Sequence, residues 1–262
     1  MNTLNICMGH LPFPERYTRF VDLFISPNIV GGSVKRKAIV PDEIFGEHGH
    51  SLSEYAQLLW LYKHVDGILV NLQYLNLFQY RRFVSPELSI GVKSVNGPWI
   101  TTIKESELEL YAHCFNRINT TSCFNTPITV SGGVIAQYAN THILDDLLNF
   151  TRYLIEIKLF SPIAAASFLR YPNMVPASSV GIYHVDIFKK LFSFLEKAAG
   201  FLNSPYFVVR DGYQRRSMGF LLERLHSFLI LETAADAGKF GHNIMISETA
   251  AVTSTIERIN NE

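Results

Sequence analysis

Two pairs of adjacent arginines, Arg81–Arg82 and Arg215–Arg216, are the groups in this sequence best suited to binding phosphate. The first pair follows residues 68–78, an apolar run that predicts a central β-strand. Cations at the end of a buried strand are costly unless anions pair with them. A guanidinium fork matches two phosphate oxygens at once, so a nucleotide diphosphate would suit the Arg81–Arg82 pair. Structural salt bridges are the alternative explanation.

The second pair precedes a run with helical periodicity. Its apolar residues recur at spacings of three and four: Met218, Leu221, Leu222, Leu225, Phe228 and Leu229. This pattern predicts a helix with one buried face, on which Glu223 and Arg224 form a solvated charged edge. Gly219 would allow another backbone segment to approach closely.

The segment from Tyr213 to Leu225, YQRRSMGFLLERL, closely resembles the signature YQ-x-R-x-x-GFLSERL of a bacterial glycosyltransferase family, domain of unknown function 4422. Members occur in capsule and O-antigen biosynthesis. The resemblance implies a single GT-A-like domain that moves a sugar from a nucleotide diphosphate to an acceptor hydroxyl. By position in this signature, Glu223 is the first candidate for the general base. Asp211 is the second candidate and Asp146 the third.

Three other segments resemble the family and extend the predicted donor site. The family writes C-H-Y-R-R-Y-F where Tyr80, Arg81, Arg82 and Phe83 stand, although Phe78 and Gln79 replace its Cys and His. Residues 53–64 resemble CELTALYWIWKN and bring Glu54 into register, and Ser51 stands three residues before Glu54 as in a capping box. Gly9 and His10 follow a predicted first strand, residues 3–8, where open α/β sheets bind ligands. The resemblance therefore assigns the donor to these residues: Gly9, His10, Glu54, Tyr80, Arg81, Arg82, Arg215 and Arg216.

The predicted acceptor contacts come from two further segments. Residues 137–147 resemble EQY-K-x-S-H-H-I-E-D-L, with Tyr138, His142 and Asp146 in step. Residues 180–188 are predicted to form a strand that carries Tyr183 and His184, but Ser179, Val180 and Gly181 replace the family's Asn-Met-Phe. The acceptor is thus expected to contact Tyr138, His142, Tyr183 and His184. A partly buried structural histidine is the alternative for His142.

Length and composition restrict the class of protein. The 262 residues, 48% hydrophobic and 18% charged, suit one large domain with a sizeable core. A net charge of zero argues against binding nucleic acid. Cys7, Cys114 and Cys123 have no metal-ligand spacing, which is typical of reduced thiols in a cytosolic protein. With no visible signal peptide or membrane-spanning run, we expect a cytoplasmic protein. Core packing is the expected role of the Phe and Leu face of residues 188–201, and peripheral contact with the inner face of the membrane through its lysines and aromatics is the alternative.

The sequence therefore predicts an α/β fold: one GT-A-like domain over residues 1–262, with a mixed, mostly parallel sheet flanked by helices, a final edge strand over residues 240–250 and a mobile tail over residues 253–262. The predicted activity is that of an inverting hexosyltransferase using a UDP-linked, galactose-type donor and a saccharide or lipid-linked saccharide acceptor. The metal is left open: Mn²⁺ or Mg²⁺ fits such chemistry, but the chain has no Asp-x-Asp motif. Either the arginines replace a metal electrostatically, or scattered carboxylates such as Glu54 bind one. A sugar-phosphate transferase and a non-catalytic partner protein are the alternative functions.

Overall fold

The structure, a computed structural model, describes residues 2–10, 15–27, 37–39, 49–68, 71–89, 91–94, 97–116, 118–234 and 238–247. One half of its main sheet is parallel. Strand β1 (Thr3–Met8) lies between β2 (Leu23–Ser26) and β4 (Tyr74–Gln79), and β3 (Lys37–Ile39) extends the sheet beyond β2. Strand β1 is buried along its whole length, as expected for a parallel strand covered on both faces. The predicted bounds of β1 and the central place of β4 are confirmed.

The other half of the sheet is mixed. Its strands are β5 (Arg82–Ser85), β6 (Val92–Ser94), β7 (Gly97–Lys104), β8 (Ser122–Asn125), β11 (Gly181–His184) and β12 (Gly238–Ser247). Strands β4, β5, β12, β8 and β11 pair in a closed circuit. Across the described part of this sheet, parallel and antiparallel strand pairings are equally frequent, so the sheet is mixed, as predicted. The final strand is also interior, because β12 pairs with β5, β7 and β8. The tail over residues 253–262 lies outside the described residues.

Helices cover one face of this sheet. They are α1 (Gly49–Leu52), α2 (Tyr55–Ile68), α3 (Gly133–Thr141), α4 (Leu144–Glu156), α5 (Pro162–Arg170), α6 (Val185–Ala199) and α7 (Ser217–Ala234). A small sheet of β9 (Ile128–Thr129) and β10 (Asn173–Met174) joins them. The opposite face packs against the 3₁₀ helix Glu105–Phe115 through a second apolar cluster. None of the helices in the described ranges is long and apolar enough to cross a membrane.

The capping box predicted at Ser51 does not start a long helix. Ser53 has a φ of +54°, a left-handed conformation that interrupts the helical path between α1 and α2. Helix α2 consequently begins at Tyr55, and the Ser53 hydroxyl donates to the adjacent Glu54 carboxylate instead. This bend between α1 and α2, at Ser53 and Glu54, is called the Ser53 elbow, and it places Glu54 directly before α2.

Helix α7 is buried on all sides over its first fourteen residues, with Glu223 alone among them half-buried. The predicted solvated edge was therefore wrong for Arg224, whose side chain is only 5% exposed. The helix contacts α1, α4 and α6, so polar residues on its other faces are enclosed as well. The prediction for Gly219 is confirmed, since a Cβ there would lie 3.0 Å from the Leu52 carbonyl oxygen and from the Ser53 Cβ. Gly219 thus lets α7 lie directly against the Ser53 elbow.

Candidate functional site

Four predicted donor residues lie together at the carboxyl ends of β1 and β4. These strands are parallel and pair Met8 with Gln79, so Gly9 and His10 leave the sheet beside Tyr80. The rings of His10 and Tyr80 meet edge to face at 5.9 Å, and the Arg81 guanidinium lies 5.4 Å from the Tyr80 ring centroid. Gly9 is buried, with its amide donating to Ile25 and its carbonyl accepting from Gln57. His10 is exposed at the same edge.

Arg82 follows the tight turn between β4 and β5 and is half-buried. Its Nε is shielded from solvent and has no hydrogen-bond partner among the described residues. Burial, followed by the charge of Arg81, lowers the pKa of Arg82, while the carboxylates of Glu223 and Glu54 act in the opposite direction. Arg82 therefore shares one electrostatic neighbourhood with two acids that are distant in sequence, and its buried Nε donor is unpaired within the described residues.

Glu54 is tied to the amino end of α7 by Arg216. The guanidinium donates to the Ser53 hydroxyl at 2.8 and 3.1 Å and to the Glu54 carboxylate at 3.3 Å. The Arg216 side chain is 47% exposed, and its Cζ lies 5.4 Å from the Phe220 ring centroid. The close packing at Gly219 allows this contact between the elbow and α7. Arg215, its neighbour, is exposed.

Glu223 is held by the buried guanidinium of Arg224, which donates to its carboxylate at 2.8 Å. The same guanidinium donates to the Gln137 amide oxygen at 3.1 Å, to the Phe220 carbonyl at 3.2 Å and to His142 Nε2 at 3.3 Å. Its charge and its hydrogen-bonding capacity are thus well satisfied. The side chain of Glu223 is 27% exposed, so the acid of this buried ion pair is partly accessible to solvent.

His142 belongs to the same network as a neutral ring. Because Nε2 accepts from Arg224, the proton resides on Nδ1, which donates to the Gln214 side-chain oxygen at 3.3 Å. Burial and the neighbouring Arg224 charge lower the pKa of His142 to about 4. With both nitrogens engaged, His142 joins α3 to α7 and is not free to bind an acceptor hydroxyl.

A second polar layer lies beneath Glu223. The Tyr55 hydroxyl is 3.1 Å from Ser178 Oγ and 3.2 Å from His226 Nδ1, and the Ser178 hydroxyl donates to the Glu223 carbonyl at 3.1 Å. Burial lowers the pKa of His226 to about 3. Burial, followed by the Glu223 charge, raises the pKa of Tyr55 well above its usual value. This layer therefore supports α7 at Glu223 with neutral groups.

The other two candidate bases are placed differently. Asp146 is buried at the start of α4 and pairs with Arg210 at 2.8 Å, which is the position of a structural ion pair. Asp211 is exposed at the start of the 3₁₀ helix Gly212–Arg216 and makes no side-chain capping bond there. Of the three acids, Glu223 is the one whose charge reaches Arg82.

The other three predicted acceptor residues are buried or lie far from the arginines. Tyr138 and Tyr183 are fully buried, the first beneath the Arg224 guanidinium and the second bonded to the Ser178 carbonyl. His184 caps α6 and pairs opposite Tyr74, the first residue of β4. The turn between β4 and β5, which carries Arg81 and is followed by Arg82, is called the arginine turn. It follows the last residue of β4 and lies roughly 16 Å from Tyr74 at the usual rise per residue. His184 is therefore at the opposite end of the sheet from the arginines.

Several residues of the site carried no functional assignment from the sequence. They are Ser53, Tyr55, Gln137, Ser178 and His226. Tyr55 and Gln137 lie inside the segments that resemble the family, so the motif itself was a usable signal for them. Gln79 and Ser179 stand where the resembled motifs have His and Asn, and the Gln79 amide donates to the Ser179 hydroxyl at 3.2 Å. These two side chains thus contact each other near the turn between β4 and β5.

A metal site does not emerge from these side chains. Within the described ranges, no three His, Cys, Asp or Glu residues are grouped so as to hold a metal ion. The carboxylates of Glu54 and Glu223 are each engaged by an arginine.

Comparison with known proteins identifies the fold. No family model matches the chain, and no curated protein matches it, so the family resemblance depends on the motifs alone. Among solved structures, the apo structure of the bifunctional glycosyltransferase WbbM is similar, with a TM-score of 0.67 at 14% sequence identity. The match covers 94% of this chain but 46% of that chain. This chain therefore has a glycosyltransferase-like mixed α/β fold that corresponds to less than half of a larger bifunctional protein.

Proposed function

We propose that this chain is a glycosyltransferase that moves a hexose of galactose type from a UDP-linked donor to a saccharide or lipid-linked saccharide. The observation that carries the proposal is the incompletely bonded Arg82 cation at the carboxyl ends of β1 and β4, in the electrostatic reach of Glu223. Bacterial surface polysaccharide assembly, at the cytoplasmic face of the membrane, is the proposed setting. The fold and the matching sequence segments support it.

The donor diphosphate is proposed to bind the arginine turn. Arg81 and Arg82 project from the edge of the sheet where Gly9 and His10 also lie. Two guanidinium groups there would stabilise the negative charge that develops as the sugar–phosphate bond breaks. Arg216 already bonds Ser53 and Glu54, so we assign it to orienting Glu54 beside the donor. Arg215, exposed next to it, remains a candidate for the outer phosphate oxygens.

Glu223 is proposed to be the general base. The acceptor hydroxyl would attack the anomeric carbon as its proton passes to the Glu223 carboxylate, and the bond to the diphosphate would break with the electron pair leaving on oxygen. A single displacement of this kind inverts the anomeric configuration. The bond from Arg224 orients the carboxylate, and the Tyr55–Ser178–His226 layer fixes the helix backbone beneath it. The Glu223 carboxylate would therefore be in position before the reaction, and no free energy would be needed to reorient it.

A thermal-shift series with UDP-, GDP-, CMP- and dTDP-sugars, each with and without Mn²⁺, tests the proposal. We expect a UDP-sugar to raise the melting temperature of the wild type and, at the same concentration, to raise that of Arg82→Ala much less. Loss of a charge-assisted contact worth about 1.5–3 kcal/mol would weaken donor binding roughly tenfold to a hundredfold. Arg152→Ala is the matched control, because Arg152 forms an exposed pair with Glu156 within α4. Equal stabilisation of all three proteins would contradict the assignment of Arg82.

The remodelled contact between Gln79 and Ser179 favours one alternative function, that of a non-catalytic glycosyltransferase-like partner. Hydrolysis of a UDP-sugar in the absence of acceptor would exclude this alternative. Release of a nucleoside monophosphate, with phosphate retained on the product, would instead indicate a sugar-phosphate transferase. Failure of every nucleotide to bind would favour the partner role.

A further inference from the structure

Tyr213 is a large exposed aromatic side chain next to the proposed site, and its ring is held from below. It is 65% exposed, on the 3₁₀ helix that leads into α7. Its ring lies 5.1 Å from that of Phe220 and 6.1 Å from that of His142, the latter nearly parallel at 15°. Phe220 and His142 themselves stack at 4.0 Å. The ring is thus supported on one side, while most of its surface remains open to solvent.

The support beneath Tyr213 is rigid. His142 is fixed by hydrogen bonds at both nitrogens, from Arg224 and to Gln214, and its other neighbour Tyr138 is fully buried. Phe220 is only 6% exposed. An exposed aromatic ring on such a base loses little conformational entropy when a ligand covers it. We call Tyr213, Phe220 and His142 the aromatic platform.

The platform borders the charged site on its Arg216 side. The Arg216 guanidinium lies 5.4 Å from the Phe220 ring centroid and also bonds Glu54, whose charge reaches Arg82. Gln214, next to Tyr213 in sequence, presents an amide that bonds the Thr141 carbonyl and His142. A ligand on the platform would therefore meet an apolar face beneath it and polar groups along its rim.

We propose that the platform binds the acceptor sugar, with the C–H face of a pyranose ring stacked on Tyr213. A pyranose has a flat face of polarised C–H groups and a rim of hydroxyls, which matches an aromatic face edged by Gln214, Arg216 and Glu54. His142 acts here as a support for Tyr213 and does not contact the sugar. The inference builds on the proposed function, since it names the acceptor class and its subsite, but its test does not require turnover.

Saturation-transfer NMR tests the platform directly. The probes are methyl glycosides of galactose, glucose, mannose and N-acetylglucosamine at millimolar concentration, with UDP as a separate probe. We expect at least one glycoside to receive saturation on the protons of one pyranose face. Its affinity should fall roughly fivefold to tenfold in Tyr213→Ala, the scale of losing one aromatic contact, and should be retained in Tyr213→Phe. UDP signals should be the same in all three proteins.

The matched control is Tyr206→Ala. Tyr206 also carries an arginine on its ring, Arg152 at 4.3 Å, and its hydroxyl donates to Glu156 near the end of α4. Glu156 lies ten residues after Asp146 on α4, about 15 Å away at the helical rise. Asp146 is the residue of α4 that pairs with Arg210, in the segment leading to Tyr213, so Tyr206 contacts the opposite end of α4. This variant should bind glycosides like the wild type.

Each result decides a separate question. Glycoside binding that is unchanged in Tyr213→Ala, or absent in the wild type, would overturn the platform. Loss of the UDP signal in Tyr213→Ala with glycosides unaffected would also overturn it, because the ring would then serve the nucleobase. A wild type that binds glycosides through Tyr213 but no nucleotide would support the platform while refuting the proposed function.

Discussion

Replacing Glu223 by Gln separates the stability of the buried network from its chemistry. The amide oxygen of Gln can still accept the bond from Arg224 that the carboxylate accepts at 2.8 Å, so the geometry should persist. The negative charge is lost, however, and Arg224 then remains as a cation whose side chain is 5% exposed. Breaking a fully buried pair in this way costs about 3–5 kcal/mol. Because Glu223 is itself 27% exposed, we expect a smaller loss, about 2 kcal/mol.

Urea unfolding measures this loss, and Glu54→Gln is the matched control for it. Glu54 pairs with Arg216, whose side chain is 47% exposed, so the same chemical change should cost less than about 1 kcal/mol. The double variant Glu223→Gln/Arg224→Met removes both charges from the buried network and should recover part of the lost stability. Equal unfolding free energies for Glu223→Gln and Glu54→Gln would show that the burial of Arg224 does not carry this energy.

Turnover is measured separately, as release of UDP from the donor with and without acceptor. Glu223→Gln should keep donor binding and lose roughly a hundredfold to ten-thousandfold in turnover with acceptor, the usual contribution of a general base. The double variant should regain stability without regaining activity. A Glu223→Gln protein that turns over at the wild-type rate would mean that another carboxylate is the base.

Three further predictions follow from the packing and the buried histidines. Gly219→Ala should destabilise the protein in urea unfolding, because its Cβ would meet the Leu52 carbonyl at 3.0 Å, whereas Gly67→Ala has open space and should gain up to about 1 kcal/mol from helix propensity. Tyr55→Phe, which leaves His226 Nδ1 without its partner, should lower the unfolding free energy by about 1–3 kcal/mol in the same assay. His142 has a folded-state pKa of about 4, below its usual 6.5, so the folded state binds fewer protons than the unfolded state between these values and stability should fall as pH drops from 6.5 toward 4. In His142→Gln the dependence of unfolding free energy on pH in that window should be shallower by up to about 1.4 kcal/mol per pH unit, and an unchanged slope would assign the titration to other groups.

The local features of the fold followed from local patterns. Strand β1 was predicted from a short, largely apolar run that ends at a Gly-His loop, and the structure buries this strand along its whole length. The helical period of residues 218–229 predicted α7, and Gly219 within it predicted a close approach of another backbone segment, which the structure shows to be Leu52–Ser53. Arg81 and Arg82 were predicted to follow a buried strand, and the structure places them at the carboxyl end of β4.

Errors arose where distant partners determine the environment of a residue. Periodicity predicted one apolar stripe on α7 and a solvated edge at Arg224, but Gln137 on α3 and His142, which follows α3, enclose that side chain. Asp146 resembled a catalytic acid until Arg210, sixty-four positions away, was found to neutralise it. His184 was assigned to the acceptor although antiparallel pairing of β11 with β4 carries it to the far end of the sheet. No local pattern specifies these pairings.

The sequence by itself determined which groups are available for chemistry: a pair of arginines after a central strand, a Glu-Arg dipeptide on a long helix, and a glycine where that helix meets another segment. Only the tertiary structure decided which charges are neutralised, which remain open and which face one another. Burial and pairing depend on contacts between segments far apart in the chain, and the cost of an unpaired buried charge far exceeds that of an exposed one. For this reason Arg224 serves to hold Glu223, while Arg82 keeps a buried Nε donor that has no partner among the described residues.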